Sequence, residues 1–162
     1  MILARHHGGW VIVLSFVAAM ALTILPLPGS AELFRPEWTA LVLVYWCLAL
    51  PERVGVGIAW LAGLLTDVLK GGLMGEHALG LTVVAFLTLK LHQRIRVYPM
   101  WQQALSVLVL LALYQLVLLW INGIIGHPAR TWLYWAPSVT GTMLWPAVFL
   151  VLRGLRRRFR VA

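Results

Sequence analysis

The sequence predicts an all-α integral membrane protein, a six-helix polytopic bundle forming a single transmembrane domain over residues 1–162. Three observations lead there. Hydrophobic residues make up 62% of the chain and charged residues 11%, with a mean hydropathy of +0.89, more apolar surface than a soluble core of this size can enclose. The apolar residues gather into six runs, separated by short stretches that hold most of the prolines and charges. Basic residues are dense in alternate connections, the pattern that orients membrane spans.

The runs cover approximately 10–27, 38–50, 54–69, 78–91, 104–121 and 133–152, followed by a basic tail at 153–162. The first lies between Arg5-His6-His7 and Gly29-Ser30-Ala31, a layout shared with secretory signals. Its 18 residues are long for such a segment, so it is read as a retained helix. The second has 13 residues and reaches only about 20 Å, short of a ~30 Å hydrocarbon core. Pro51-Glu52-Arg53 then suits a tight turn at a membrane face, joining the second and third runs as a hairpin.

The third run carries Gly55, Ala59, Gly63 and Asp67 at spacings of four, on one helical face, flanked by Ala62 and Thr66. Such a smooth groove lets another backbone approach closely, so these six residues are the candidate surface for docking a partner's helix. Asp67 is the carboxylate set inside a long apolar segment. A charge there costs roughly 2.5 to 3.5 kcal/mol at the bilayer centre, so it should face protein, water or headgroups, as an ordinary helix-end residue would. Glu76-His77 follows closely and could add to a cation site, against the plainer reading of a polar loop. The last run holds Pro137, Thr140, Gly141, Thr142 and Pro146, which should kink it and open space. Trp46, Trp145, Thr140 and Thr142 are therefore candidate pocket lining, with core packing as the alternative.

Ten basic residues fall on one side, Arg5, Arg53, Lys90, Arg94, Arg96, Arg153, Arg156, Arg157, Arg158 and Arg160; three fall on the other, Arg35, Lys70 and Arg130. The side of ten should be cytoplasmic, with both termini inside. Trp10, Trp38, Trp101, Trp120 and Trp132 sit at run ends, where indole rings anchor at headgroup level. Arg153, Arg156, Arg157, Arg158 and Arg160 are placed to meet anionic lipid or a cytoplasmic acidic partner, at about 1 kcal/mol per basic residue near such a surface. No aromatic-interleaved soluble platform accompanies them, so nucleic acid is not expected.

No phosphate-binding loop, zinc-helix motif or nucleophile elbow occurs, and Asp67 lacks a second intramembrane acid. The lone Cys47 excludes a disulfide framework, and the five histidines lack the spacing of metal ligands. The expectation is a non-enzymatic protein with no cofactor or metal.

The ordered landmarks Arg35-Pro36-Glu37-Trp38, Leu43-Val44-Tyr45-Trp46, Leu48-Ala49-Leu50-Pro51 with Arg53, Gly63-Leu64-Leu65-Thr66-Asp67-Val68-Leu69 with Gly72, Gly75-Glu76-His77-Ala78-Leu79, Trp101-Gln102-Gln103-Ala104 and Leu144-Trp145-Pro146 before a basic tail resemble the bacterial rod-shape-determining MreD family of Gram-negative type. The likeness covers roughly residues 33–160, with Met74 where such chains often have Leu. The resemblance implies a multi-pass inner-membrane scaffold of the cell-elongation complex, needed for rod shape and lateral peptidoglycan synthesis. It would dock MreC and work beside MreB, RodZ, RodA and a penicillin-binding transpeptidase. It further implies a fold similar to the substrate-binding subunits of energy-coupling-factor transporters, which keeps a lipid- or small-molecule-binding transporter subunit as the alternative function.

Overall fold

The computed structural model describes residues 9–25, 35–51, 54–71, 75–124, 126 and 135–159. They form six helices: α1 Gly9–Ile24, α2 Trp38–Ala49, α3 Val56–Lys70, α4 Glu76–Val97, α5 Met100–Ile124 and α6 Ala136–Arg158. Arg5, Arg53, Arg130, Trp132 and Arg160 lie outside the described residues.

Helix α2 is the axis of the bundle. It is apolar all round, and residues 39–48 are buried without a break, as expected of a helix with neighbours on every side. It packs on α1, α4 and α6, while α3 packs against α4, α4 against α5 and α5 against α6. The other five helices each turn large apolar side chains outward, among them Val17, Leu65, Phe86, Val109 and Leu150. Among the described residues, α5 and α6 are long and apolar enough to cross a bilayer.

Helices α4 and α5 outrun their apolar segments at the basic end. Backbone hydrogen bonds continue through His92–Val97 although four of these six side chains are polar, because helix propagation needs no continuous apolar face once a neighbour supports it, here through buried Ile95. Termination comes at Tyr98, whose ψ of 144° is the extended conformation imposed by Pro99. Helix α5 starts directly afterwards at Met100. Likewise 153–158, expected as a tail, are the last turns of α6. Three arginines in its final turn face the negative end of the helix dipole.

Arg35 closes the far end of α1. Its guanidinium donates to the Thr23 and Leu25 carbonyls, which the end of α1 leaves without helical partners. The residue that opens the Arg35-Pro36-Glu37-Trp38 landmark is thereby tied to the end of α1.

Candidate functional site

The small-residue stripe does receive a helix, and that helix is α4 of the same chain. Ala59, Ala62, Gly63, Thr66 and Asp67 are all buried, Gly55 partly so. A Cβ on Gly63 would sit 2.5 Å from the Ala78 nitrogen and 2.8 Å from the His77 carbonyl carbon, both backbone atoms that cannot swing aside. A partner helix docked in this groove would have to displace α4. What α3 leaves uncovered is its opposite face, where Gly57, Trp60, Leu61, Leu65 and Val68 are exposed.

Asp67 closes the α3–α4 corner. Helix α3 ends at Gly71 and α4 is preceded by Gly75, with φ of 69° and 99° respectively, left-handed conformations that suit glycine. As the residue before α4, Gly75 has no side chain with which to cap the helix. Asp67 supplies that cap from the neighbouring helix: Oδ2 accepts the Gly75 N–H at 2.8 Å and Oδ1 accepts the His77 N–H at 2.9 Å. Two of the four orphan amides of α4 are satisfied, and the carboxylate faces the positive end of the α4 dipole.

His77 extends the contact. Its Nδ1 donates to Asp67 Oδ1 at 2.7 Å, leaving Nε2 to accept from the Lys70 ammonium at 3.5 Å. Lys70 in turn lies 3.7 Å from Glu37, the residue before α2. On the other side Asn122 of α5 donates to buried Glu76 at 2.8 Å. This end of the bundle therefore ties α2, α3, α4 and α5 through one polar layer, beside an open cleft of about 460 Å3 lined by Arg35, Glu37, Lys70 and Pro137. With the Asp67 and His77 groups committed to each other and an ammonium beside the ring, the cation reading of Glu76-His77 loses its ligands. No group of three potential metal ligands occurs among the described residues.

The opposite end is basic. Arg96 of α4 meets Arg153 and Arg156 of α6 around a cavity of about 130 Å3, floored by Tyr45, Phe149 and buried Gln103. Arg157 and Arg158 are exposed and do not line it, Arg158 lying over the Phe159 ring. Among the described residues, the split in charge along the chain is thus a split between the two ends of the bundle.

The four candidate pocket residues border none of the cavities described. Trp46 and Trp145 are fully buried, and their indole N–H groups donate to Ser15 Oγ at 2.8 Å and Gln103 Oε1 at 3.0 Å. Thr140 and Thr142 return their hydroxyls to the Ala136 and Ser138 carbonyls of their own helix. They knit helices together or serve α6 itself. A further cavity, an apolar groove of about 280 Å3, lies between α1, α2 and α6.

Sequence reasoning missed two close approaches. A Cβ on Gly80 would meet the Tyr114 ring at 2.8 Å, and one on Gly141 would meet Leu111 Cδ1 at 2.8 Å. Each is a single glycine without a repeating partner, so no stripe marked it. Gln103 stands in the Trp101-Gln102-Gln103-Ala104 landmark, but its role was missed; its amide links the Ile95 carbonyl of α4 to Trp145 of α6, and a glutamine pair near a helix start carries no signal of that.

Residues 4–155 match the family model described as rod shape-determining protein MreD. The chain is 31% identical over 153 residues to the rod shape-determining protein MreD of Haemophilus influenzae, covering 94% of each chain. No solved structure matches.

Proposed function

Because the chain belongs to the MreD family of rod shape-determining proteins, we propose that it is a multi-pass inner-membrane scaffold of the cell-elongation complex. It docks MreC and works beside MreB, RodZ, RodA and a penicillin-binding transpeptidase in lateral peptidoglycan synthesis. The basic end faces the cytoplasm, as the excess of arginine and lysine there favours. Apolar side chains exposed on all five outer helices support a bilayer as the surrounding medium, since water would not leave so much apolar surface uncovered. Trp10, Trp101 and Trp120, exposed near helix ends, suit the headgroup level.

The observation that carries the docking proposal is the outward face of α3. This helix has 15 residues, about 22 Å, shorter than a ~30 Å hydrocarbon core. A short span accommodates such a mismatch in part by association with other helices. Its exposed face holds Gly57, where an added Cβ would meet no atom within 4 Å, beside Trp60 and Leu61, each at least half exposed. A small residue flanked by large apolar ones offers a notch for a transmembrane helix. The partner surface proposed thus lies opposite the buried stripe, which holds α3 in place for it.

The test is photo-crosslinking from residues 61 and 65, with 105 and 109 on the outer face of α5 as comparison, in cells producing MreC. Crosslinks to MreC should arise from the α3 positions and be several-fold weaker from α5. Equal yields from both helices would remove α3 as the docking face.

A second reading, a lipid- or small-molecule-binding subunit, is favoured by the 280 Å3 groove between α1, α2 and α6, whose lining is almost wholly apolar around Ser15. Mass spectrometry of a gently extracted protein decides it: a stoichiometric amphiphile lost in Ala19→Trp supports the reading, and none recovered opposes it.

A further inference from the structure

We propose that the cavity between Arg96, Arg153 and Arg156 is a specific site for a phosphate group, supplied by the headgroup of an anionic phospholipid. The claim goes beyond general attraction of a basic tail to a membrane, because it separates two arginines of that tail from the rest and adds one from another helix.

Three guanidinium groups surround about 130 Å3 of space. The described carboxylates, Glu37, Asp67 and Glu76, all belong to the other end of the bundle. Among the described residues no carboxylate lines this space; like charges gathered in this way repel, and an anion among them relieves that repulsion. Two of the three arginines, Arg153 and Arg156, are held in place by the cavity floor. Arg153 lies over the Phe149 ring, 6.0 Å from its centroid, a cation–π contact that limits where the guanidinium can go. Phe149 is held edge-on by Tyr45 at 5.7 Å, and the Tyr45 hydroxyl faces Arg156. Tyr45 sits on the fully buried α2, so the floor cannot shift independently of the core.

Guanidinium forks match carboxylate and phosphate oxygens alike, two at a time; with three forks around one space, a phosphate group, which has more oxygens to share among them, is favoured over a single carboxylate. About 130 Å3 admits a phosphate group but not the acyl chains of a lipid, so the rest of the molecule must lie outside. Within three residues of the lining residues in sequence are exposed Val97 on α4, Trp101 on α5, and Leu150 and Val151 on α6, apolar side chains that suit an acyl chain. A phospholipid meets both requirements. The lipid source rests on the membrane reading above; the phosphate chemistry does not.

The full-length protein, purified in detergent and stripped of lipid, is titrated with phosphatidylglycerol and with phosphatidylcholine and examined by native mass spectrometry. Phosphatidylglycerol should be retained preferentially. Arg96→Gln, Arg153→Gln and Arg156→Gln should each weaken it about tenfold, whereas Arg158→Gln, outside the cavity, should change it less than twofold. Arg156→Lys keeps the charge and loses the fork, so it should fall between. Helix content by circular dichroism identifies any variant that misfolds, and the remaining arginines then carry the test. If millimolar inorganic phosphate displaces the lipid and binds alone with the same arginine dependence, the site is a phosphate site filled from solution. Equal losses from Arg158→Gln and the cavity variants would overturn the proposal in favour of diffuse tail attraction. Failure of MreC crosslinking from α3 would leave this result unaffected.

Discussion

Asp67 and His77 are joined twice across the α3–α4 corner, by backbone N–H to Oδ1 at 2.9 Å and by Nδ1 to the same oxygen at 2.7 Å. One carboxylate thus caps a helix to which it does not belong and orients the ring that follows. The buried position of Asp67 becomes affordable because two backbone N–H groups and the His77 ring N–H satisfy its oxygens.

Asp67→Asn separates shape from charge at this corner. The oxygens accept from opposite directions, Oδ2 from Gly75 and Oδ1 from His77. An amide has one oxygen, so its NH2 must confront an N–H donor on one side. The expected destabilisation is about 1–3 kcal/mol, seen as a lower Tm in detergent. An unchanged Tm would mean that α4 does not need this cap.

Gly63 and Gly57 lie on the same helix and should respond in opposite ways. At Gly63 even Ala places a Cβ against the backbone of Ala78, so Gly63→Ala should cost about 1–3 kcal/mol and Gly63→Leu should prevent α3 from packing on α4. At Gly57 nothing lies within 4 Å, so Gly57→Leu should fold at normal yield while weakening co-purification with MreC. Detergent-resistant monomer yield reads the first effect and pull-down the second. Normal folding of Gly63→Leu would contradict the packing described.

The stripe was legible because residues four apart share a helix face whatever surrounds them. Its occupant was not. Smoothness says that a backbone can come close and leaves open whether that backbone is the chain's own, and only the turn at Gly71 and Gly75 returns α4 onto α3. The helix count was legible from the apolar runs, but the ends of α4 and α6 were not, since Arg94, Arg96 and Arg153–158 continue helices without contributing hydropathy. The cavity of Arg96, Arg153 and Arg156 joins residues about 60 apart in sequence, which only the antiparallel path of α4, α5 and α6 brings together.

Trp145→Phe tests the buried polar ties. Removing the indole N–H leaves Gln103 Oε1 without that donor inside the bundle, at an expected cost of about 1–3 kcal/mol. Trp120→Phe, at 71% exposed, should stay within ±0.5 kcal/mol. If the hydrogen bond matters, Gln103→Leu combined with Trp145→Phe should cost less than the two singly summed. Additive losses would assign the Trp145 effect to volume alone.

Orientation is tested through α5, whose 25 residues extend about 37 Å, enough to cross a ~30 Å hydrocarbon core. Its first residue follows the basic end of α4 and its last precedes the connection that contains Arg130. Reporter fusions at 98–99 should therefore read cytoplasmic, as should those at Ala162, while fusions within 28–35 and 127–130 should read external. Replacing Lys90, Arg94 and Arg96 together with Gln lowers the charge bias at the inner connection, and a fraction of molecules should then insert inverted. A cytoplasmic signal from 127–130 in the unaltered chain would mean that α5 does not cross, and the six-span arrangement would fall with it.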